Sequence, residues 1–196
     1  MKTPNPARRS EQSRRAILSA AFDLVAESGY AKLTIEAIAA RAGVGKQTIY
    51  RWWPSKGAVF IDAFLSKTSD EEGSVALPDT GDLGADLRLT LRAVVDEYND
   101  PGLDTMTRAL TIESLGDPAI NAEITTRLLE PHLEATRERL RSAQRAGQVA
   151  EDADLSVAVE LLYGPIYHRW MLRTAPLTHE YADTVVGFAL RALKAA

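Results

Sequence analysis

The stretch Gly43-Val44-Gly45-Lys46-Gln47-Thr48 sets a lysine directly behind a glycine-rich step. Two chemistries use such a pattern. The first is a phosphate cradle, which needs a glycine, four residues, then Gly-Lys-Ser/Thr, so that backbone N–H groups wrap the phosphates and a hydroxyl ligates magnesium. Ala40 stands where the first glycine belongs and Gln47 where the hydroxyl belongs, and the residues ahead, Thr34 to Ala42, are alanine-rich with apolar residues at helical spacing rather than strand-like. The cradle fails on each count. The second chemistry is hydrogen bonding to base edges, in which a lysine donates to guanine O6/N7 and a glutamine pairs with adenine N6/N7. Lys46 and Gln47 are the candidate base readers. Thr48, Tyr50 and Lys56 offer donors suited to phosphate oxygens, and Lys56 stands at a helix start whose N–H groups add to an anion site.

Those side chains act only if helices position them. Thr34 is an N-cap for a helix with Glu36 in its first turn, and Gly43 ends that helix. A short helix over 46–53 comes next, stopped by Pro54. With Gly45 at zero on a helical wheel, Ile49, Trp52 and Trp53 fall within about 80° of it, while Gln47, Tyr50 and Arg51 lie between about 140° and 240°. Apolar residues, both tryptophans included, therefore face inward; an amide, a phenol and a guanidinium face out. Lys46 sits at the N-terminal edge, where a helix-turn-helix first meets bases, and eight residues span about 12 Å, the width of the major groove. Thr34, opening the preceding helix, joins the DNA-facing set.

Ahead of this pair, Ser13 to Ser28 reads as a helix closed by Gly29-Tyr30; behind it, Ser55 caps a fourth helix carrying Val59, Phe60, Ala63 and Phe64. The turn-rich segment 67–82 is a connection, and everything beyond is helical: 83–98, 103–115, 118–146 with an interruption at Pro131, 155–173 with Gly164-Pro165 inside, and 178–194. The fold class is all-α. Among 196 residues there are no cysteines, and His132, His168 and His179 lack metal-ligand spacing, so no metal and no cofactor is expected. The N-terminus has no secretory apolar core and no apolar run suits a membrane, which predicts a cytoplasmic protein. Charge is divided. Residues 1–67 hold eleven Lys and Arg against five Asp and Glu, net +6, and residues 68–196 hold twelve against twenty-two, net −10. One part suits a polyanion and the other does not. Arg8, Arg9, Arg14 and Arg15 are a candidate arm or backbone contact.

The run LTIEAIAARAGVGKQTIYRWWPSKGAVF, after a helix ending in AESGY, resembles the DNA-binding region of TetR-type bacterial transcriptional regulators. Gly29-Tyr30, Thr34, Val44, Thr48, Ile49, Tyr50, Trp53, Pro54, Ser55 and Lys56 match the family pattern; tandem Trp52-Trp53 departs from its usual Phe or Tyr before the proline. The resemblance covers roughly residues 13–64. It implies a three-helix DNA-binding head (1–56) and a larger helical ligand-binding and dimerisation body (57–196), with 57–67 as the connecting helix. It also implies a homodimer on a pseudo-palindromic double-stranded operator, and a repressor released by an unknown small apolar or amphipathic effector. Phe64, Tyr98, Met106, Tyr163 and Tyr167 are then candidates to line the effector pocket. In the family the last two helices pair between subunits, making Leu162, Ile166, Trp170, Val185, Phe188 and Ala192 the candidate dimer interface. The fourth helix, through Phe60 and Phe64, would couple ligand to head. Two alternatives stay open: the same fold without a ligand, constitutive or answering to a protein partner, and an enzyme built on Glu160, Tyr163 and His168, which lacks any accompanying nucleophile elbow, metal pair or cofactor loop.

Overall fold

The computed structural model describes residues 6–68 and 76–194, and among them every regular element is a helix. The side chains of Arg8 and Arg9 and the middle of the expected connection, 69–75, lie outside the described residues. The chain divides into two compact units: residues 1–73 with 105–124, and residues 74–104 with 125–196. This division by compactness differs from the 56/57 boundary expected on functional grounds, because the fourth helix and a later segment group with the head.

In the first unit, α1 spans Pro6–Ser28, longer than the expected Ser13 start. The apolar stripe begins only at Ile17, but good helix formers precede it and Pro6, lacking an N–H, is tolerated in a first turn. A single 3₁₀ turn, Tyr30–Lys32, leads to α2 (Ile35–Ala42), α3 (Lys46–Tyr50) and α4 (Lys56–Thr68). Ile17, Ala21, Val25, Leu33, Ile38, Ile49, Val59, Phe60 and Phe64 are buried, with α1 packing against both α2 and α4. In the second unit α5 spans Leu83–Asn99. After it, α6 (Pro101–Gly116) gives its last three turns to the first unit, together with α7 (Pro118–Ile124). Here the Tyr30 hydroxyl comes within 3.3 Å of where a Cβ on Gly57 would stand, and Ile120 within 3.5 Å. Burial pushes the Tyr30 phenol up to about 12, with the Glu113 and Asp117 carboxylates adding to the effect.

Beside α5, the second unit holds the first turn of α6, α8 (Glu130–Arg145), α9 (Leu155–Leu172) and α10 (His179–Leu193). The break expected at Pro131 appears upstream, as a π turn over Thr125–Leu129. Pro131 has no N–H for the carbonyl four residues back, so the ladder widens before it. The core joins Leu87, Leu91 and Val95 of α5, Leu140 of α8, Leu162 and Ile166 of α9, and Val185 and Val186 of α10. A buried ion pair is set into it. Asp86, 2 % exposed, accepts from Arg139 Nε at 2.9 Å, from Thr80 Oγ1 at 2.7 Å and from the Thr80 amide at 3.1 Å. Arg139 Nη2 lies 2.8 Å from the same carboxylate, as a charge contact without hydrogen-bond geometry. Burial by itself raises the Asp86 carboxyl, but the Thr80 and Arg139 hydrogen bonds and the Arg139 charge outweigh it, and the net shift is downward.

Candidate nucleic-acid interface

Thr34 opens α2 as expected, its Oγ1 accepting from the Ala37 amide at 3.1 Å. Gly43 closes the helix at φ 65°, ψ 33°, a left-handed conformation in which the next amide, that of Val44, bonds back to the Ala39 carbonyl at 3.0 Å. An L side chain at that φ is strained, which is why a glycine makes this turn. The chain then delivers α3 with Ile49 fully buried beneath it. Lys46, Gln47, Tyr50 and Arg51 are exposed, Thr48 is half-buried, and Thr34 is exposed at the neighbouring helix start. The outward arc of the wheel is the exposed side of the helix. Together these residues form a polar surface of donors on the outer side of a helix-turn-helix, the arrangement that enters a major groove.

Three details differ from expectation. Trp53 is buried but Trp52 is 42 % exposed, so only one tryptophan packs inward. The regular helix stops at Tyr50, and the Trp52 amide bonds to the Ile49 carbonyl three residues back, a tightening that rotates Trp52 outward from its position on a 100° wheel. Arg51 lies 5.8 Å above the Trp52 ring. Lys56, expected as a phosphate donor, is half-buried: its ammonium donates to the Leu33 carbonyl at 3.1 Å and sits 4.5 Å over the Tyr30 ring. These contacts hold the ammonium in a fixed position. Finally, the acidic Glu36 accepts from Lys46 Nζ at 2.9 Å, a partner that the residue pattern does not reveal.

Trp53 anchors the end of the reading helix. Its Nε1 donates to Asp62 of α4 at 2.8 Å, and Arg14 of α1 stands 3.5 Å from that carboxylate and 6.0 Å from the indole. Trp53→Phe keeps an aromatic ring there but removes the donor. We expect it to cost about 1–3 kcal/mol in chemical denaturation. Arg15 is exposed and pairs with Glu11 of its own helix at 3.4 Å.

In the second unit, Tyr98 stacks on Trp170 with ring centroids 4.6 Å apart, and Tyr167 meets the same indole at 5.5 Å. The Tyr163 hydroxyl pairs with Thr136 at 2.9 Å, and Trp170 Nε1 donates to Asp104 at 2.6 Å. Burial raises the Tyr98 phenol and, next to it in sequence, the Glu97 carboxyl, which His132 partly offsets. The structure thus gathers Tyr98, Tyr163 and Tyr167 into one unit, whereas Phe64 and Met106 are buried in the other. Trp170, Thr136 and Glu97 are not among the expected lining residues; a second aromatic spaced i, i+3 from Tyr167 is the available signal for Trp170.

The expected dimer face requires correction. Leu162, Ile166, Trp170 and Val185 are buried in the core of their own chain and offer no outward face. α9 is apolar along its buried side and carries two half-exposed apolar residues, Val157 and Leu161, on the other, and the wheel selects the buried side. The outer side holds Val157, Leu161, Gly164 and His168, with Val157 and Leu161 49 % and 45 % exposed. On α10, Phe188 is 65 % exposed, Ala192 lies on the same outer side, and Arg191 covers the Phe188 ring at 4.5 Å. Among the described residues no cluster of His, Cys, Asp or Glu is placed to hold a metal ion, and no helix is long and apolar enough to cross a membrane.

Comparison with known proteins agrees with this geometry. Residues 17–63 match the family described as bacterial regulatory proteins, tetR family, and residues 77–189 match the tetracyclin repressor-like C-terminal domain. Over 187 residues the chain is 32% identical to the HTH-type transcriptional regulator YdeS of Bacillus subtilis (strain 168), covering 95% of this chain and 92% of YdeS. It is 26% identical to the DNA-binding transcriptional repressor TetR of Mycobacteroides abscessus, covering 94% and 95% of the two chains. Among solved structures, the TetR family transcription regulator SCO0332 shares 32% identity with a TM-score of 0.74, over 94% of this chain and 100% of that one. A helix-turn-helix whose outer face carries Lys46, Gln47, Tyr50 and Arg51, joined to a second helical unit and matched along both, makes this chain a member of the TetR family: a DNA-binding transcriptional regulator and not an enzyme.

Proposed function

We propose that the protein is a cytoplasmic, homodimeric repressor that reads a pseudo-palindromic operator through α3 and leaves it when a small apolar or amphipathic ligand binds the second unit. The exposed row Lys46, Gln47, Tyr50 and Arg51, held from behind by buried Ile49 and Trp53, is the observation that carries the operator reading. Lys46 and Gln47 supply base contacts; Thr34, Thr48, Tyr50, Arg51 and Lys56 supply phosphate contacts. Regulators of this family bind DNA operators and act as dimers, and two heads one helical turn apart require one. The inner side of α9 is occupied by its own core, so the half-exposed Val157 and Leu161 on its outer side, with Phe188 and Ala192 of α10, support a second copy as their cover. A related chain that is itself a repressor supports that direction of control.

The ligand reading rests on Tyr98, Tyr163, Tyr167 and Trp170, which combine aromatic faces with hydroxyl and indole donors. Trp170 is tied to Asp104 in the first turn of α6, a helix that belongs to both units, and so α6 joins α4 as a candidate coupling element. A ligand that favours one arrangement shifts the population away from the operator-binding form.

The test is selection of bound genomic fragments at two salt concentrations, beside Lys46→Ala/Gln47→Ala. Recovery of a few inverted-repeat sites that bind more weakly at high salt is expected, with affinity at least about tenfold lower in the double variant. Recovery of no site above background would refute operator reading by this helix.

A further inference from the structure

Between Thr34 and Lys56 the charged residues are Glu36, Arg41, Lys46, Arg51 and Lys56, a run with one acid among four bases. A carboxylate facing a polyanion weakens general attraction, so its position is informative. Arg41 is committed elsewhere, to Glu27 of α1 through two hydrogen bonds of 2.9 and 2.7 Å. Glu36 instead reaches across the turn to Lys46, the residue that leads the reading helix, at 2.9 Å, and both side chains stay more than half exposed. An exposed pair of this kind adds little to folding stability. It does fix a donor beside an acceptor at the edge where this motif meets bases.

In a G·C pair, guanine O6 and cytosine N4 are hydrogen-bonded to each other, about 2.9 Å apart, and both edges are also presented in the major groove. The Lys46–Glu36 spacing matches that separation with the polarity reversed. We propose that Glu36 and Lys46 read one base pair together: the ammonium donates to O6 and N7 of guanine while the carboxylate accepts from N4 of the cytosine opposite. This rests on the operator reading above and assigns specificity to a residue of α2. Inverting the pair to C·G sets the ammonium against an amino group and the carboxylate against a keto oxygen, so both contacts turn unfavourable. A T·A pair keeps the keto–amino order through O4 and N6 but gives the lysine no N7, and ranks between them. Without Glu36, a lysine alone rejects the inverted pair less well, because a single flexible ammonium can swing to a neighbouring acceptor or phosphate.

The experiment is selection of bound sequences from a random library by the full-length wild type, Glu36→Ala, Glu36→Gln and Lys46→Ala, followed by competition with operators altered one pair at a time. The expected wild-type result is one G·C position per half-site where inversion costs about tenfold or more. Glu36→Ala lowers that discrimination several-fold at this position alone, while binding to unrelated DNA tightens and its salt dependence steepens. Glu36→Gln, whose amide both donates and accepts, tolerates the inverted pair. Lys46→Ala affects the same position, and combining it with Glu36→Ala adds little more there. Equal weakening at all positions, or a preference unchanged by Glu36→Ala, would overturn the proposal while leaving operator binding intact. A wild type that enriches no sequence overturns both readings.

Discussion

Leu161→Asp combined with Phe188→Asp yields a folded monomer whose operator affinity falls by roughly 10²–10⁴, the advantage that linking two binding modules confers. The expectation begins with α9. Its inner stripe, Ala158, Val159, Leu162, Ile166 and Trp170, fills the core, yet Val157 and Leu161 on the opposite side are apolar and about half exposed. Phe188 of α10 is also apolar and exposes about two-thirds of its surface. Single exposed apolar residues need no explanation, whereas Val157 and Leu161 one turn apart on α9, with Phe188 exposed on α10, are apolar surface that a second copy would cover. Each carboxylate placed there would be desolvated by pairing with a second copy, so association fails while the monomer core is untouched. Sedimentation gives the mass, circular dichroism the fold, and anisotropy on a selected operator the affinity. A doubly substituted protein that still sediments as a dimer would show that the copies meet elsewhere.

The fold is legible in the sequence where its periodicities are strong and local. Thr34, Gly43 and the alternation of Ile49 with Gln47, Tyr50 and Arg51 are enough to place the turn and the outer face of α3, because capping, a left-handed glycine and a 100° repeat are properties of neighbouring residues. Trp52 escapes that pattern because the repeat changes where the helix tightens after Tyr50, and no residue type signals that. α9 misleads for another reason. With apolar residues on two sides, periodicity cannot say which side its own chain buries; only the packing of α5, α8 and α10 decides that. Glu36 and Asp86 are equally hidden, as polar residues whose partners lie ten and fifty-three positions away. The pattern places an acid in a first turn; it does not say whether a lysine or a buried arginine meets it.

Asp86→Ala is expected to have the largest effect on folding, destabilising the protein by about 3–5 kcal/mol, the cost of leaving a buried charge without its partner. Arg139, 4 % exposed, would keep its guanidinium inside with Asp79, 48 % exposed and 3.4 Å away, as its remaining carboxylate contact. Thr80 would lose two bonds in the same step, releasing the strap that enters α5. Asp86→Asn/Arg139→Met removes both charges and should recover part of the loss, since a buried pair replaced by matched neutral groups is often close to neutral. The pH dependence has a definite sign. The folded carboxyl titrates below its unfolded value, near 3.9, so its contribution is complete above that pH and disappears as pH falls through the lower, folded value. Urea denaturation at pH 7 and in steps below pH 4 should show wild type and Asp86→Asn converging in stability as the solution becomes acidic. A difference that holds constant through that range would mean that the carboxylate charge is not what secures α5 to α8. Because α8 also carries Thr136, the partner of Tyr163, loosening that attachment should disturb the aromatic cluster, visible as a shift in Trp170 fluorescence in a background where Trp52 and Trp53 are replaced by Phe.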